Sequence, residues 1–427
     1  MGDVARPLDG GRTARPARLA RAGASLWASR GADDPVARNL YLEFAWVGVL
    51  NAAIATFAPV FTIRLGGSPL LVAALASGPA LAAILVSLPA ARFLRPQPMQ
   101  RILWARVASR LPYLGIALVP WLISEHQAAA VVALVTLSYL PAHVAYVGFT
   151  SVFADLVPPA RRAVVMSTRL LALGLVSSAT VLVGGWMLDV LPFPLGYQIL
   201  FVAGFASSIF ALRYWRRLPT PAGAAPGAEG AATLRDAEAA SAPGAAPSLT
   251  GFSVSTFTFQ LGIGMAVPLL PIYWVSELGL ADGRVGLIAT AAGLASVAAY
   301  PLWGRLATRR GNVPMLGAAL LVHSFYPILT ASTRDPDLLL GVGVLGGLAS
   351  AGTTLGLVNG LLVAAPAEDR LRFVGAYNTL TYLALSVGPV AGSLAAGAVG
   401  VPVALLVAGT VRLVGTATYG LWARSGA

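Results

Sequence analysis

Residues 219–247 read PTPAGAAPGAEGAATLRDAEAASAPGAAP, a run of Ala, Pro and Gly in which no apolar residue recurs at the spacing of a helix face or a strand. Such a stretch cannot bury enough side chain to offset the entropy of ordering it, so it reads as a flexible linker. What flanks it decides the fold. Upstream, apolar windows fall near 40–63, 69–91, 103–123, 127–150, 166–189 and 195–214; downstream they fall near 251–275, 281–304, 313–332, 337–362, 373–397 and 401–422. Each is close to the roughly 20 residues with which a helix crosses a hydrocarbon core about 30 Å thick. The linker therefore divides the windows six and six.

Composition agrees. Of 427 residues, 57% are hydrophobic and 11% charged, more apolar surface than a water-soluble domain hides. The expected fold class is an all-α integral membrane protein, its twelve transmembrane helices arranged as two pseudo-symmetric six-helix bundles. The expected organisation is a basic cytoplasmic tail over 1–38, a first bundle over 39–217, the linker over 218–249 and a second bundle over 250–427. The tail carries Arg6, Arg12, Arg15, Arg18, Arg21, Arg30 and Arg38 without the apolar core of a cleavable signal. The third window is the weakest, because Arg106 and Arg110 interrupt it and its clean run, Leu111 to Ile123, is too short to cross alone. Both arginines must snorkel or face protein.

A net charge of +12 raises the question of nucleic acid. The basic residues lie between apolar windows instead of forming one stripe among aromatics, which speaks against that partner. Topology accounts for them better. With the N-terminus inside, Arg92, Arg95, Arg101, Arg161, Arg162, Arg216, Arg217, Arg305, Arg309, Arg310, Arg370 and Arg372 face the cytoplasm, leaving Arg64, Arg284 and Arg334 outside. Both termini are then cytoplasmic in a multi-pass protein of the inner, plasma membrane. The chain has no cysteine, which excludes disulfides and thiolate chemistry.

Displacing the sequence by 208 or 209 residues lays Asn51 on Gln260, Pro59 on Pro268, Pro158 on Pro366, Arg162 on Arg370 and Gly184 on Gly392. The halves read as parallel repeats related by an axis along the membrane normal, with a substrate path between them near mid-membrane.

With the six-plus-six layout and this linker, the loop Gly304-Arg305-Leu306-Ala307-Thr308-Arg309-Arg310-Gly311-Asn312 resembles the G-x-L-A-D-R-x-G-R signature of the major facilitator superfamily, Thr308 standing where the pattern has aspartate. The equivalent loop of the first half, Leu88 to Arg95, keeps basic residues but neither the aspartate nor the following glycine. Gly388-Pro389-Val390-Ala391-Gly392 is similar to an element that antiporters of the family carry in span five; here span five keeps Gly184-Gly185. The resemblance implies a secondary or facilitative transporter working by rocker-switch alternating access, with export of neutral or amphiphilic compounds as the leading expectation. An importer of a sugar-like nutrient is the alternative, and a membrane receptor or enzyme on the same scaffold is a further one. Loop arginines that pair with helix ends or acids would make a cytoplasmic latch from Arg92, Asp155, Arg305 and Arg309; Asp155 is equally readable as a solvated carboxylate.

Asn51 and Gln260 lie near the centres of their windows, where an unpaired amide facing lipid costs several kcal/mol. They read as cavity residues, weighed against interhelical bonding worth about 0.6 kcal/mol. Phe57, Phe257, Phe259, Tyr273, Tyr377 and Tyr382 are candidate aromatic lining, each also readable as packing. Glu43, Asp155 and Glu368 fall near the inner face, and Asp189, Glu277 and Asp282 near the outer one. No carboxylate is expected at mid-membrane, which leaves His143 and His323 as candidate proton relays against the reading of neutral, hydrogen-bonded histidines. Arg412 needs an inward partner: an anionic substrate group or a salt bridge. No H-E-x-x-H or P-loop motif points to an enzyme or an ATP-driven pump. The expected partners are a small-molecule substrate, the lipid bilayer and protons as candidate coupling ion, acting on a monomer, with no metal or cofactor.

Overall fold

The computed structural model describes residues 34–94, 98–219, 249–364 and 370–425. The linker thus lies outside the described residues, as do Glu368 and most of the basic tail. Twelve helices long and apolar enough to cross a bilayer follow one another. The first half holds α1 (Pro35–Arg64), α2 (Pro69–Leu94), α3 (Pro98–Leu122), α4 (Gln127–Leu156), α5 (Pro159–Val190) and α6 (Leu195–Trp215). The second half holds α7 (Leu249–Ile272, prolonged by a π-helical turn Tyr273–Glu277), α8 (Asp282–Arg310), α9 (Asn312–Ser332), α10 (Pro336–Ala364), α11 (Arg370–Val399) and α12 (Val401–Ser425).

Local chemistry sets the helix ends. Asp34 accepts from the Val36 amide at 2.9 Å with Pro35 in the first turn, so α1 starts inside the stretch expected as tail. Gly311 at φ 87° and Gly400 at φ 84° turn the chain within one residue between α8 and α9 and between α11 and α12, a conformation that penalises any Cβ. Helices run past several apolar windows, as α5 and α8 do, because a helix continues beyond the hydrocarbon once its backbone bonds are made. Large side chains such as Leu85, Trp104, Trp121, Trp186 and Leu421 stay exposed on the helix surfaces, as lipid requires.

Packing repeats with a shift of six helices. α1 packs on α5 and α6, α2 on α4, and α3 on α4 and α6; α7 packs on α11 and α12, α8 on α10, and α9 on α10 and α12. The halves meet along two seams, α5 against α8 and α2 against α11. Toward the face carrying Arg64 and Asp282, one core runs through both halves, from Phe57, Phe61 and Phe201 to Leu269, Ile288 and Leu405. Toward the arginine-rich face the cores are separate: Leu40, Ile102, Phe153 and Trp215 in one half, Phe252, Leu316, Tyr377 and Trp422 in the other. The molecule is joined at one end and split at the other.

Candidate functional site

The seam begins with glycine. At Gly185 an added Cβ would lie 3.0 Å from the Gly283 Cα, and at Gly286 2.9 Å from the Val181 carbonyl, so α5 and α8 touch backbone to backbone near the Asp282 face. Deeper, a Cβ at Gly293 would meet Ser178 Oγ at 3.1 Å, and one at Gly174 would find only a Val297 methyl at 3.9 Å. The two helices splay toward the arginine-rich face.

Polar contacts across the seam follow the same gradient. Arg64 donates through Nε (3.2 Å) and Nη2 (2.9 Å) to Asp282 Oδ1, and through Nη2 to the Leu280 carbonyl at 2.9 Å. Tyr197 donates its hydroxyl to Asp282 Oδ2. Asp189 accepts from the Gly283 amide at 2.9 Å. Farther in, Ser77 Oγ donates to the Ser386 carbonyl at 2.8 Å and Thr290 Oγ1 to the Ser178 carbonyl at 3.2 Å. Ser77 and Thr290 each stand eight residues into their helix, and the two accepting serines are 208 residues apart. The repeat thus builds one hydroxyl-to-carbonyl bond on each seam.

On the α2–α11 seam lies a cavity of about 280 Å³ walled by both halves: Ala76, Pro79, Ala80, Ala83, His143 and Tyr146 from α2 and α4, and Gly264, Val267, Tyr382, Leu385 and Pro389 from α7 and α11. The lining is apolar except for the imidazole and two phenols. His143 Nε2 lies 3.0 Å from Ser87 Oγ.

The expected site residues separate on this frame. Tyr382 and His143 come together on the cavity wall. Asn51 Nδ2 donates to Ser177 Oγ at 3.1 Å, an interhelical bond inside the first half; Gln260 is half-buried on α7 outside the lining. Phe57 is fully buried, its ring edge against Gly184 and across the seam against Gly286, so it packs the closed end. Phe257 lines a separate groove of about 400 Å³ between α7 and α11, with Val254, Phe373, Leu380 and Leu383. Tyr377 is stacked on Phe252 at 5.7 Å within the second half's core, which corrects its reading as cavity lining. Phe259 and Tyr273 are likewise buried core residues. His323 is buried, its Nδ1 3.1 Å from Thr353 Oγ1, and is absent from the cavity wall. Arg92, Asp155, Arg305 and Arg309 are exposed at the split face, and among the described residues none forms an ion pair.

Glu43, read from the sequence as lying near the inner face, is enclosed in protein. Glu43 is 1% exposed, about 12 Å along α1 from its start at 1.5 Å per residue. Its Oε1 accepts from Arg106 Nη1 and its Oε2 from Arg169 Nη2 at 3.2 Å. Arg106 stacks over Trp215 at 4.0 Å, and Arg169 lies between Phe44 (3.6 Å) and Phe149 (4.0 Å). Arg106 and Arg110 therefore face protein and do not snorkel. The signal was available: an acid and two arginines at similar depth on spans one, three and five. The Arg64–Asp282 pair left no such trace, since it depends on how the halves dock.

Gly388 and Gly392 also gain a role. A Cβ at Gly388 would lie 2.7 Å from the Leu261 carbonyl, and one at Gly392 would fall on the Met265 carbonyl, so this element lets α11 cross α7 at backbone contact.

An integral membrane protein of two six-helix halves, with a cavity on their seam, is the class this geometry defines. Residues 252–425 match the family model described as Major Facilitator Superfamily. The chain is 28% identical over 134 residues to the quinolone resistance protein NorA of Staphylococcus aureus (strain MRSA252), a match covering 31% of this chain and 34% of that protein. It is 28% identical over 155 residues to the staphyloferrin B transporter of Staphylococcus aureus (strain NCTC 8325 / PS 47), covering 34% and 36%. The matches span about a third of the length of these curated relatives. In fold it is similar to a bacterial homologue of the iron transporter ferroportin (TM-score 0.70, 16% identity, 91% of this chain and 98% of that one). It is also similar to a D-xylose-proton symporter (TM-score 0.64, 12% identity, 90% and 96%). The second half of the chain is thus similar to the major facilitator superfamily.

Proposed function

We propose that the protein is a secondary transporter that moves amphiphilic small molecules out of the cell by alternating access around the seam cavity. The observation that carries this reading is the cavity itself, walled by α2, α4, α7 and α11 of both halves, in a molecule whose halves are also joined toward one face by the Arg64–Asp282 contact. A cavity shared by two rigid bodies changes sides when they rock. Arginine asymmetry assigns the split face to the cytoplasm, so the conformation described is inward-open. In the opposite state the cytoplasmic ends would close, and Arg92, Asp155, Arg305 and Arg309 would then meet as a latch.

The lining favours amphiphiles over sugars. A sugar site needs several converging amides and hydroxyls, whereas His143, Tyr146 and Tyr382 supply the polar side chains here and the remaining wall is apolar. The names of two relatives, a quinolone resistance protein and a staphyloferrin B transporter, support a transporter of organic solutes. His143, bonded to Ser87 on the wall, is the better placed relay for coupled protons; His323 is enclosed in the second half. One chain supplies both walls, which supports action as a monomer.

The test is flux of a broad panel of amphiphilic and polar solutes in proteoliposomes under imposed pH gradients. Concentrative movement of an amphiphile, lost on Tyr382→Ala, is the expected result. Movement of sugars alone would transfer the reading to a nutrient importer, and movement of nothing would remove the transport reading.

A further inference from the structure

The buried charges do not balance. Within the spans, away from their ends, the described residues offer one buried carboxylate, Glu43, and four buried guanidiniums, Arg106, Arg110, Arg169 and Arg412. Glu43 gives one oxygen to Arg106 and the other to Arg169. Arg110, 5% exposed at the middle of α3, donates to the Arg106 carbonyl and has no acid partner. Arg412, 2% exposed at the middle of α12, donates through Nη1 to the His323 carbonyl at 3.1 Å, and its Nε has no partner. The salt bridge to another span that would have neutralised Arg412 is absent among the described residues.

One arginine of each half, Arg169 and Arg412, can be traced to a residue close to the cavity wall. Arg169 stacks on Phe149, one turn from Tyr146 on α4, and Tyr146 lines the cavity within electrostatic reach of both Arg169 and Tyr382. On the other side, Arg412 Cγ lies against Gly262, two residues from the cavity-lining Gly264. Its guanidinium lies at the His323 carbonyl on α9, so α7 stands between Arg412 and the cavity. No carboxylate lines the wall.

Taking the seam cavity to be the transport site, we infer that three uncompensated buried arginine charges make it a site for organic anions, amphiphiles bearing a carboxylate or similar acid, and exclude organic cations. The arginines act by field through the wall; they touch no solute. Across roughly 15 Å in an effective dielectric near 20, one uncompensated charge changes the affinity for a monovalent solute several-fold, in opposite directions for an anion and a cation. An anion and a cation on one scaffold both lose hydration on entry, so the sign of the field separates them.

The experiment uses the full chain in proteoliposomes with three matched probes, 2-naphthoate, 2-naphthamide and 2-naphthyl-trimethylammonium, measuring equilibrium binding and counterflow. Naphthoate should bind at least about tenfold tighter than the trimethylammonium probe, with the amide between them. Arg110→Gln and Arg412→Gln leave the Glu43 pairs in place, and each should cut the anion-to-cation ratio by at least about tenfold. Equal or tighter binding of the cation overturns the inference, as does an unchanged ratio in either variant purified as a monodisperse protein. If a variant does not fold, the wild-type ratio decides alone. Counterflow of the cation would sink the anion assignment while leaving transport standing; counterflow of no probe, with no flux in the broad panel, would sink transport itself.

Discussion

Replacing Asp282 by asparagine opens the sealed end of the cavity without changing side-chain size. Asp282 is 7% exposed, accepts two bonds from Arg64 at 3.2 and 2.9 Å and a third from Tyr197, and both donors belong to the other half. Asparagine removes the charge and turns one acceptor into an NH₂ that must face either the guanidinium or the phenol. Hydrogen bonds to charged groups contribute about 1.5–3 kcal/mol. The Arg64 side chain is 33% exposed, so solvent screening argues for the lower part of that range, taken as about 2 kcal/mol. Only the conformation sealed at this end makes the contact, so its loss shifts the equilibrium toward the opposite state by about thirtyfold. The natural absence of cysteine allows a direct reading: Ala76→Cys on the cavity wall, attacked by a membrane-impermeant maleimide from the Arg64 side. Asp282→Asn should raise that labelling rate by up to about thirtyfold, and the charge swap Arg64→Asp with Asp282→Arg should return it partway. An unchanged rate in Asp282→Asn would refute the assignment of this contact as the external seal.

Three further outcomes follow from the same geometry. Glu43→Gln strands Arg106 and Arg169 without their carboxylate and should destabilise the first half by about 3–5 kcal/mol, read as a lowered unfolding midpoint in detergent; an unshifted midpoint would mean the cluster is hydrated. His143→Asn should abolish accumulation driven by a pH gradient while sparing downhill exchange, and His323→Asn should leave coupling in place; the reverse pattern would move the relay into the second half. Gly392→Val drives a side chain onto the Met265 backbone and should lower the yield of folded protein, whereas the same change at Gly397, where a Cβ meets nothing, should be tolerated.

The sequence determined the number of spans and the repeat, because each depends on apolar runs of bilayer length and on offsets along one chain. It also raised the right question about Arg106, Arg110 and Arg412, since a buried guanidinium needs an explanation wherever it stands. It gave no sign that Glu43 is enclosed, because linear distance from a span's end does not say which way a helix face turns, and burial among α1, α3 and α5 decides that. Of the aromatic candidates, Tyr382 reached the seam cavity while Tyr377 went to a core, five residues away on the same helix but on another face. The Arg64–Asp282 seal and the mirrored Ser77 and Thr290 bonds join residues 112 to 309 positions apart across two separately packed halves. Such contacts exist only in one docking of the halves, and a hydrophobic pattern that specifies each half equally well in every docking carries no record of them. The surplus of buried positive charge could be suspected from composition, but only the tertiary structure showed which arginines lack an acid and that Arg169 and Arg412 contact residues next to the cavity wall.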